Sequence, residues 1–162
     1  MTADAPARSV VIGVHCAYGH FNDPTIPYCS VCGISMIQRT RVPVPGPRPP
    51  LGMLTLDDGI TRPVERACVL GRQPEGDQLV RSGRADPLAL ADPLISRIHA
   101  RMLPHGWDVI LTDAGSTNGT WVCPPGRGRW SAVPAGAGLR LAPGSRVAIG
   151  AHEIRYDSYR NP

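Results

Sequence analysis

At 162 residues the chain is long enough for one domain of ordinary size with something small attached, and too short for two substantial cores. Aromatic residues make up only 5%, with Phe21 the single phenylalanine, so the core must be built from Val, Ile, Leu and Ala; 18 glycines and 18 prolines fall between short apolar runs and read as turns of an all-β chain. The net charge of +4 favours acidic partners, whether phosphate groups, nucleic acid or acidic peptide segments, and no apolar run approaches membrane-spanning length.

The start, "MTADAPARSVVIGVHC", has a short apolar run and no basic stretch before it, unlike a secretory signal, so a cytoplasmic protein is expected. Five cysteines, an odd number with three close together, argue for metal binding over a disulfide framework in that compartment.

Residues 14–36 include "HCAYGHFNDPTIPYCSVCGISM", in which Cys16, His20, Cys29 and Cys32 follow the spacing C-x3-H-x8-C-x2-C. Tetrahedral zinc needs four soft or borderline ligands arriving from two directions, and two tight turns can supply them. Gly33 after Cys32 and Gly19 before His20 suit those turns, and His15 is a spare candidate for the place of His20. So small a segment has almost no core, and one structural zinc ion would supply much of its folding free energy. The competing reading of Cys29 and Cys32 is a redox pair or two ordinary thiols; a thioredoxin-like pair would need a βαβ setting, and none is visible. The role of this knuckle is open between a nucleic-acid contact, a protein-docking surface and a staple.

Residues 37–51, "IQRTRVPVPGPRPPL", have little to bury and read as a Pro/Arg-rich linker, an extended polyproline-like spacer between two independently folding units. Thr40, flanked by Arg39 and Arg41, has a basic context that some kinases accept, against the commoner reading of an unmodified solvated threonine.

Residues 52–159 read as short strands and turns. A hairpin is expected around Asp57-Asp58-Gly59, with Val64, Ala67, Val69 and Leu70 entering the next strand, and a second around His105-Gly106 between the alternating runs of Ile98, Ala100 and Met102 and of Trp107, Val109 and Leu111. "TWV", "LRLAPGSRVAIG" and "AHEIRYDSY" add strands separated by Pro143-Gly144 and Gly150; no stretch has sustained helical periodicity, which suggests a β-sandwich.

Three motifs fall in the loops between these strands: Gly71-Arg72, Ser96-x-x-His99, and Ser116-Thr117-Asn118-Gly119-Thr120. In order and spacing they resemble the forkhead-associated (FHA) domain family over residues 52–157, with "SRIHARM" and "GWDVILTDAGSTNGT" the most specific runs. An N-terminal knuckle before such a domain also looks like an architecture found among actinobacterial proteins.

The resemblance implies an eleven-stranded β-sandwich, here preceded by a small zinc-binding knuckle, that binds phosphothreonine peptides in loops at one end. A phosphothreonine carries nearly two negative charges and three acceptor oxygens, so its pocket needs a fork of donors and small hydroxyls rather than a catalytic base. By the family pattern Arg72 offers the guanidinium fork and Ser96 its hydroxyl and backbone N–H. Arg97 lies beside the phosphate or peptide backbone, Thr117 lines the pocket near the phosphothreonine methyl, and Asn118 hydrogen-bonds the peptide main chain. Gly71, His99 and Gly119 support these loops.

"SRIH" could also pair a nucleophile with a base. Residues three apart in a strand point to opposite faces, so Ser96 and His99 are poorly placed to share a proton, and no third group is positioned to orient the ring. An enzyme is therefore not expected.

The chain departs from a compact FHA domain in two places, "QPEGDQLVRSGRADPLALADPLI" after Arg72 and "WVCPPGRGRWSAVPAGAG" after Thr120. Each reads as a surface loop, although the first could alter where Arg72 sits and the second, with Arg127 and Arg129, could wall the peptide groove. Cys68 reads as a buried strand thiol and Cys123 as a loop thiol.

The expected function is a phosphothreonine-peptide-binding adaptor in serine/threonine kinase signalling, partnered by a kinase or its substrate. A phosphorylated Thr40 would be a candidate ligand for its own or a neighbour's pocket. The alternatives are a nucleic-acid-associated zinc-knuckle protein, for which the knuckle has few basic residues, and a scaffold that binds partners without phosphate.

Overall fold

A computed structural model describes residues 9–38 and 40–159; Arg39 and the first eight residues, on which the reading of the start partly rests, lie outside the described residues. Near the N-terminus β1 (Val10–His15), β2 (Phe21–Asn22) and β3 (Val44–Pro47) form a three-stranded antiparallel sheet in the order β2-β1-β3. Val14, Cys16, Ile26, Cys29 and Met36 make a small core beside it.

Strand β3 corrects the reading of residues 37–51 as a spacer. Its register with β1 runs from Val10 opposite Pro47 to Gly13 opposite Val44, and Pro45 and Pro47 are tolerated because β3 is an edge strand. Arg41, also in that segment, folds back to donate from Nη1 to the carbonyls of Pro24 and Ile26, each at 3.1 Å. Gly13 and Gly46 make the room for Phe21, whose ring a Cβ at either position would crowd. Phe21 in turn packs against Trp107 at 5.6 Å between ring centroids, and Trp107 Nε1 donates to the Ile12 carbonyl at 2.7 Å. The segment therefore returns to complete the knuckle sheet, which rests on a turn of the larger unit.

That larger unit contains two sheets. One has six strands, in the order β11 (Ser131–Ala132), β10 (Thr120–Cys123), β13 (Arg146–Ile149), β14 (His152–Asp157), β4 (Met53–Leu56) and β5 (Thr61–Pro63). The other has five, in the order β12 (Leu139–Arg140), β9 (Asp108–Asp113), β8 (Ala100–His105), β6 (Ala67–Gly71) and β7 (Ala85–Ala89). Among the described residues this is the eleven-stranded sandwich that the resemblance implies. Alternation builds its core: Leu54, Leu56, Val147, Ile149 and Ile154 from one sheet join Leu70, Leu88, Met102, Val109 and Leu111 from the other in one buried cluster. Burying each such side chain contributes about 1.5–3 kcal/mol before conformational entropy is counted.

Both expected hairpins are present, β4–β5 around Asp57-Asp58-Gly59 and β8–β9 around Gly106. The stretch after Arg72 is more than a surface loop. It holds a 3-10 turn (Pro74–Gly76), a one-turn helix α1 (Gln78–Arg81) and β7, which pairs parallel with β6 from Ala67 opposite Ala85 to Gly71 opposite Ala89. A parallel pair requires a crossover of roughly a dozen residues or more, and the 3-10 turn and α1 lie within it. The stretch after Thr120 likewise begins in β10 and contains β11, so Cys123 is a buried strand thiol rather than the expected loop thiol, with Arg146 Nη2 at 3.5 Å from its sulfur. Cys68 does lie in a strand, partly buried, and burial pushes its thiol up to about 12.

Candidate functional site

Register brings the end of β6, the start of β8 and the end of β9 to one end of the sandwich: Leu70 pairs with Ala100, and Ala100 with Asp113. The loops leaving these strands hold all three motifs. Gly71 touches the next loop so closely that a Cβ there would collide with the Arg97 carbonyl. Beyond it the Arg72 N–H donates to the Ser96 carbonyl and the Gln73 N–H to the Arg97 carbonyl, each at 3.0 Å. That ladder sets Arg72 beside Ser96 across an open cleft of about 850 Å³, lined by Arg72, Gln73, Glu75, Gly76, Ser96, Arg97, Ile98 and Thr117. Four expected binding residues thus share one cleft. Asn118 is exposed and not among the lining residues; its Nδ2 donates to the Leu94 carbonyl at 2.8 Å. Arg127 and Arg129 do not line the cleft either.

Ser96 and His99 are arranged differently from the strand-based expectation. Arg97 and Ile98 form a bend between Ser96 and His99 and β8 begins only at Ala100, so the alternation argument does not apply to them, and the His99 ring turns back toward Ser96. The Ser96 N–H donates to His99 Nδ1 at 3.1 Å, and Nε2, which then carries the ring proton, donates to the Gly119 carbonyl at 2.9 Å. Both ring nitrogens are engaged and the residue is fully buried, so the histidine ties two binding loops together and has no nitrogen left to accept a proton from the Ser96 hydroxyl. The Ser96 amide, expected to face phosphate, is taken by this bond. Its Oγ accepts from the Thr117 N–H at 3.1 Å and retains a proton to donate. His99→Ala is expected to destabilise the protein by on the order of 2–5 kcal/mol, through a cavity and two lost hydrogen bonds; urea unfolding that leaves stability unchanged would refute the bracing role.

Two carboxylates that the sequence reading did not single out anchor these loops. Asp113 accepts from Ser116 Oγ and Thr120 Oγ1, both at 2.6 Å, and from the N–H groups of Gly115 and Ser116 at 3.0 Å. Burial pushes its pKa up, but these donors outweigh burial and hold the carboxyl below its ordinary value. Asp92 accepts from Ala151 N–H at 2.7 Å and Leu94 N–H at 2.8 Å, and those bonds lower its pKa also. An Asp just before a Gly-Ser turn is a recognisable cue for the first; the second depends on a contact between distant segments.

At the other unit, Cys16, His20, Cys29 and Cys32 place one ligand atom each within 4.8 Å of one another, a group able to hold a metal ion. Cys16 Sγ lies 3.4 Å from His20 Nδ1 and 3.9 Å from Cys32 Sγ, and Cys29 Sγ lies 3.7 Å from His20 Nδ1. His15 is outside this group; its ring packs on Phe21 at 5.4 Å. Glycines at φ 83° (Gly19) and 73° (Gly33) form the two turns, and the Tyr18 and Val31 N–H groups donate to the Cys16 and Cys29 sulfurs at 3.4 Å. Burial alone would raise the Cys29 pKa, but N–H donors of Cys32 and Val31 and the Asn22 amide bring it down to about 6. For Cys32 the Ile34 N–H lowers the pKa, yet burial and the neighbouring thiols of Cys29 and Cys16 prevail and raise it. Crowded thiols that resist joint ionisation suit a cation at their centre.

The FHA domain family model matches residues 68–150, just over half of the chain. The FHA domain-containing protein FhaB of Mycolicibacterium smegmatis is 41% identical over 68 residues, 41% of this chain and 44% of that protein. A chloroplastic zeaxanthin epoxidase of Prunus armeniaca is 29% identical over 97 residues, 60% of this chain and 14% of the epoxidase. The chain thus spans less than half the length of either curated relative. Among solved structures, the FHA domain of CT664 from Chlamydia trachomatis superposes with a TM-score of 0.51 at 22% identity, covering 67% of this chain and 98% of that one. EmbR of Mycobacterium tuberculosis, in complex with a low-affinity phosphopeptide, gives 0.51 at 20%, covering 72% and 26%. Both share the fold. With the family model over its central strands and the three loop motifs gathered at one end of its sandwich, the chain belongs to the FHA domain family.

Proposed function

We propose that the chain is a non-enzymatic adaptor that binds phosphothreonine peptides in a serine/threonine kinase pathway, its partner being a phosphorylated kinase or kinase substrate. The observation that carries this reading is the convergence of Arg72, Arg97, Ser96 and Thr117 on one open cleft beside a histidine whose nitrogens are already engaged. Two guanidinium groups and two hydroxyls match a dianion with three acceptor oxygens, and His99 beside them has no free nitrogen to activate the Ser96 hydroxyl. Arg72 forks to the phosphate, the Ser96 hydroxyl donates to it, Arg97 lies alongside, and Thr117 flanks the threonine methyl. Asn118 contacts the peptide main chain, with Gly71, His99 and Gly119 holding the loops. The EmbR structure, in which a relative of this fold holds a phosphopeptide, supports the ligand class.

Residues 52–159 form the recognition module in this reading and residues 14–36 the metal-binding knuckle, with β3 from the segment 37–51 completing the knuckle sheet before the chain enters the module. One zinc ion held by Cys16, His20, Cys29 and Cys32 fits best: Zn–S bonds of about 2.3 Å and Zn–N bonds of about 2.0 Å give tetrahedral edges of roughly 3.5–3.8 Å. The cysteine and histidine contacts of 3.4, 3.7 and 3.9 Å lie close to those edges. A cytoplasmic setting belongs to the same proposal, because thiolate ligands for zinc are kept reduced there.

Calorimetric titration with one peptide in three forms tests the proposal. The phosphothreonine form is expected to bind, the phosphoserine form to bind more weakly by at least the ~0.8 kcal/mol of a buried methyl, and the unphosphorylated form not to bind measurably. Equal affinity for all three would overturn it.

A further inference from the structure

The crossover between β6 and β7 carries an acid into the phosphate cleft. Glu75, on the 3-10 turn Pro74–Gly76, lines the cleft with Arg72, Arg97, Ser96 and Thr117. A carboxylate beside a dianion site repels the ligand that the arginines attract, so its presence shapes which ligands are accepted. Glu75 enters no ion pair among the described residues, and neither Arg72 nor Arg97 does. The carboxylate and both guanidinium charges are therefore all available to a ligand.

The placement of Glu75 is built rather than incidental. Pro74 before it is buried. Asp77 after it is 2% exposed, accepts from Arg101 Nη2 at 2.6 Å and Nε at 3.0 Å, and caps α1 through the Leu79 N–H at 2.8 Å. Arg101 belongs to β8, so the turn is fastened to the sheet floor on one side and, through the Gln73 N–H, to the Arg97 carbonyl on the other. A turn held at both ends keeps the carboxylate at the cleft rim.

We propose that Glu75 makes the cleft selective for phosphothreonine peptides bearing an arginine or lysine close to the phosphothreonine, a zwitterionic epitope in which phosphate meets Arg72 and Arg97 while the cation meets Glu75. The inference rests on the phosphothreonine reading of the cleft. A basic neighbour turns the repulsion into an ion pair, whereas an acidic neighbour adds to it.

The full chain is titrated with a phosphothreonine peptide in which each flanking position in turn carries arginine or glutamine, and with the unphosphorylated peptide. At one position at least, arginine is expected to raise affinity about twofold to fivefold over glutamine, the upper part of the range of an exposed ion pair. Glu75→Gln should remove that preference while strengthening the glutamine peptide, and Glu75→Lys should reverse it. A preference absent at every position, or surviving both substitutions, overturns the role of Glu75 and leaves phosphothreonine recognition standing. If phosphorylated and unphosphorylated peptides bind alike, the reading of the cleft and this inference fall together.

Discussion

Arg72→Ala is expected to weaken phosphothreonine-peptide binding by on the order of 2–5 kcal/mol, roughly 30-fold to several thousandfold. Arg72 is exposed, forms no ion pair among the described residues, and holds its loop through its main chain, whose N–H donates to the Ser96 carbonyl at 3.0 Å. Truncating the side chain therefore removes a ligand contact without removing a structural one, and thermal unfolding should be nearly unchanged. Arg72→Lys should recover only part of the loss, because an ammonium restores charge without the planar fork that meets two phosphate oxygens. Titration of both variants against the same peptide decides the matter. Unchanged affinity in Arg72→Ala would refute the assignment of the fork.

Stripping the metal with a chelator is expected to unfold the knuckle while the sandwich persists. The knuckle core consists of Val14, Cys16, Ile26, Cys29 and Met36, and two of those five are proposed metal ligands. Structural zinc contributes about 10–16 kcal/mol of apparent binding free energy in small fingers, far more than three buried aliphatic side chains can. The sandwich has a separate core extending over both its sheets and does not depend on that ion. Trp107 reports the difference, because its Nε1–H is bonded to the Ile12 carbonyl at 2.7 Å and its ring lies on Phe21. Its indole N–H resonance should shift toward that of a solvated tryptophan on chelation, and Cys29→Ser should reproduce the shift. A chelated protein whose knuckle amides stay protected from exchange, or a purified protein holding less than one equivalent of metal, would count against a metal staple.

The elements legible in the sequence were those whose physics is local. The C-x3-H-x8-C-x2-C spacing needs only two glycine turns to bring its ligands together, and the structure gathers those four residues. Alternation in β8 and β9 and the turn at Gly106 were readable for the same reason. Where partners are distant in the chain, the readings failed or were missing. Residues 44–47 read as a proline-rich spacer because nothing local reveals that β1 needs a third strand. Strand β7 was hidden in an apparent loop, since a parallel neighbour cannot be inferred from a turn.

Ser96 and His99 mark the boundary most clearly. The motifs in the sequence, through their resemblance to the FHA family, implied that both serve the binding end of a β-sandwich together with Arg72. Only the tertiary structure decided how they meet: the strand begins after them, the imidazole folds back onto the Ser96 amide, and its other nitrogen reaches Gly119 in a loop twenty residues away. The reason is physical. A motif records which donors and acceptors are present, but a buried imidazole must satisfy both nitrogens at once, and the packing of three loops decides which partners do so.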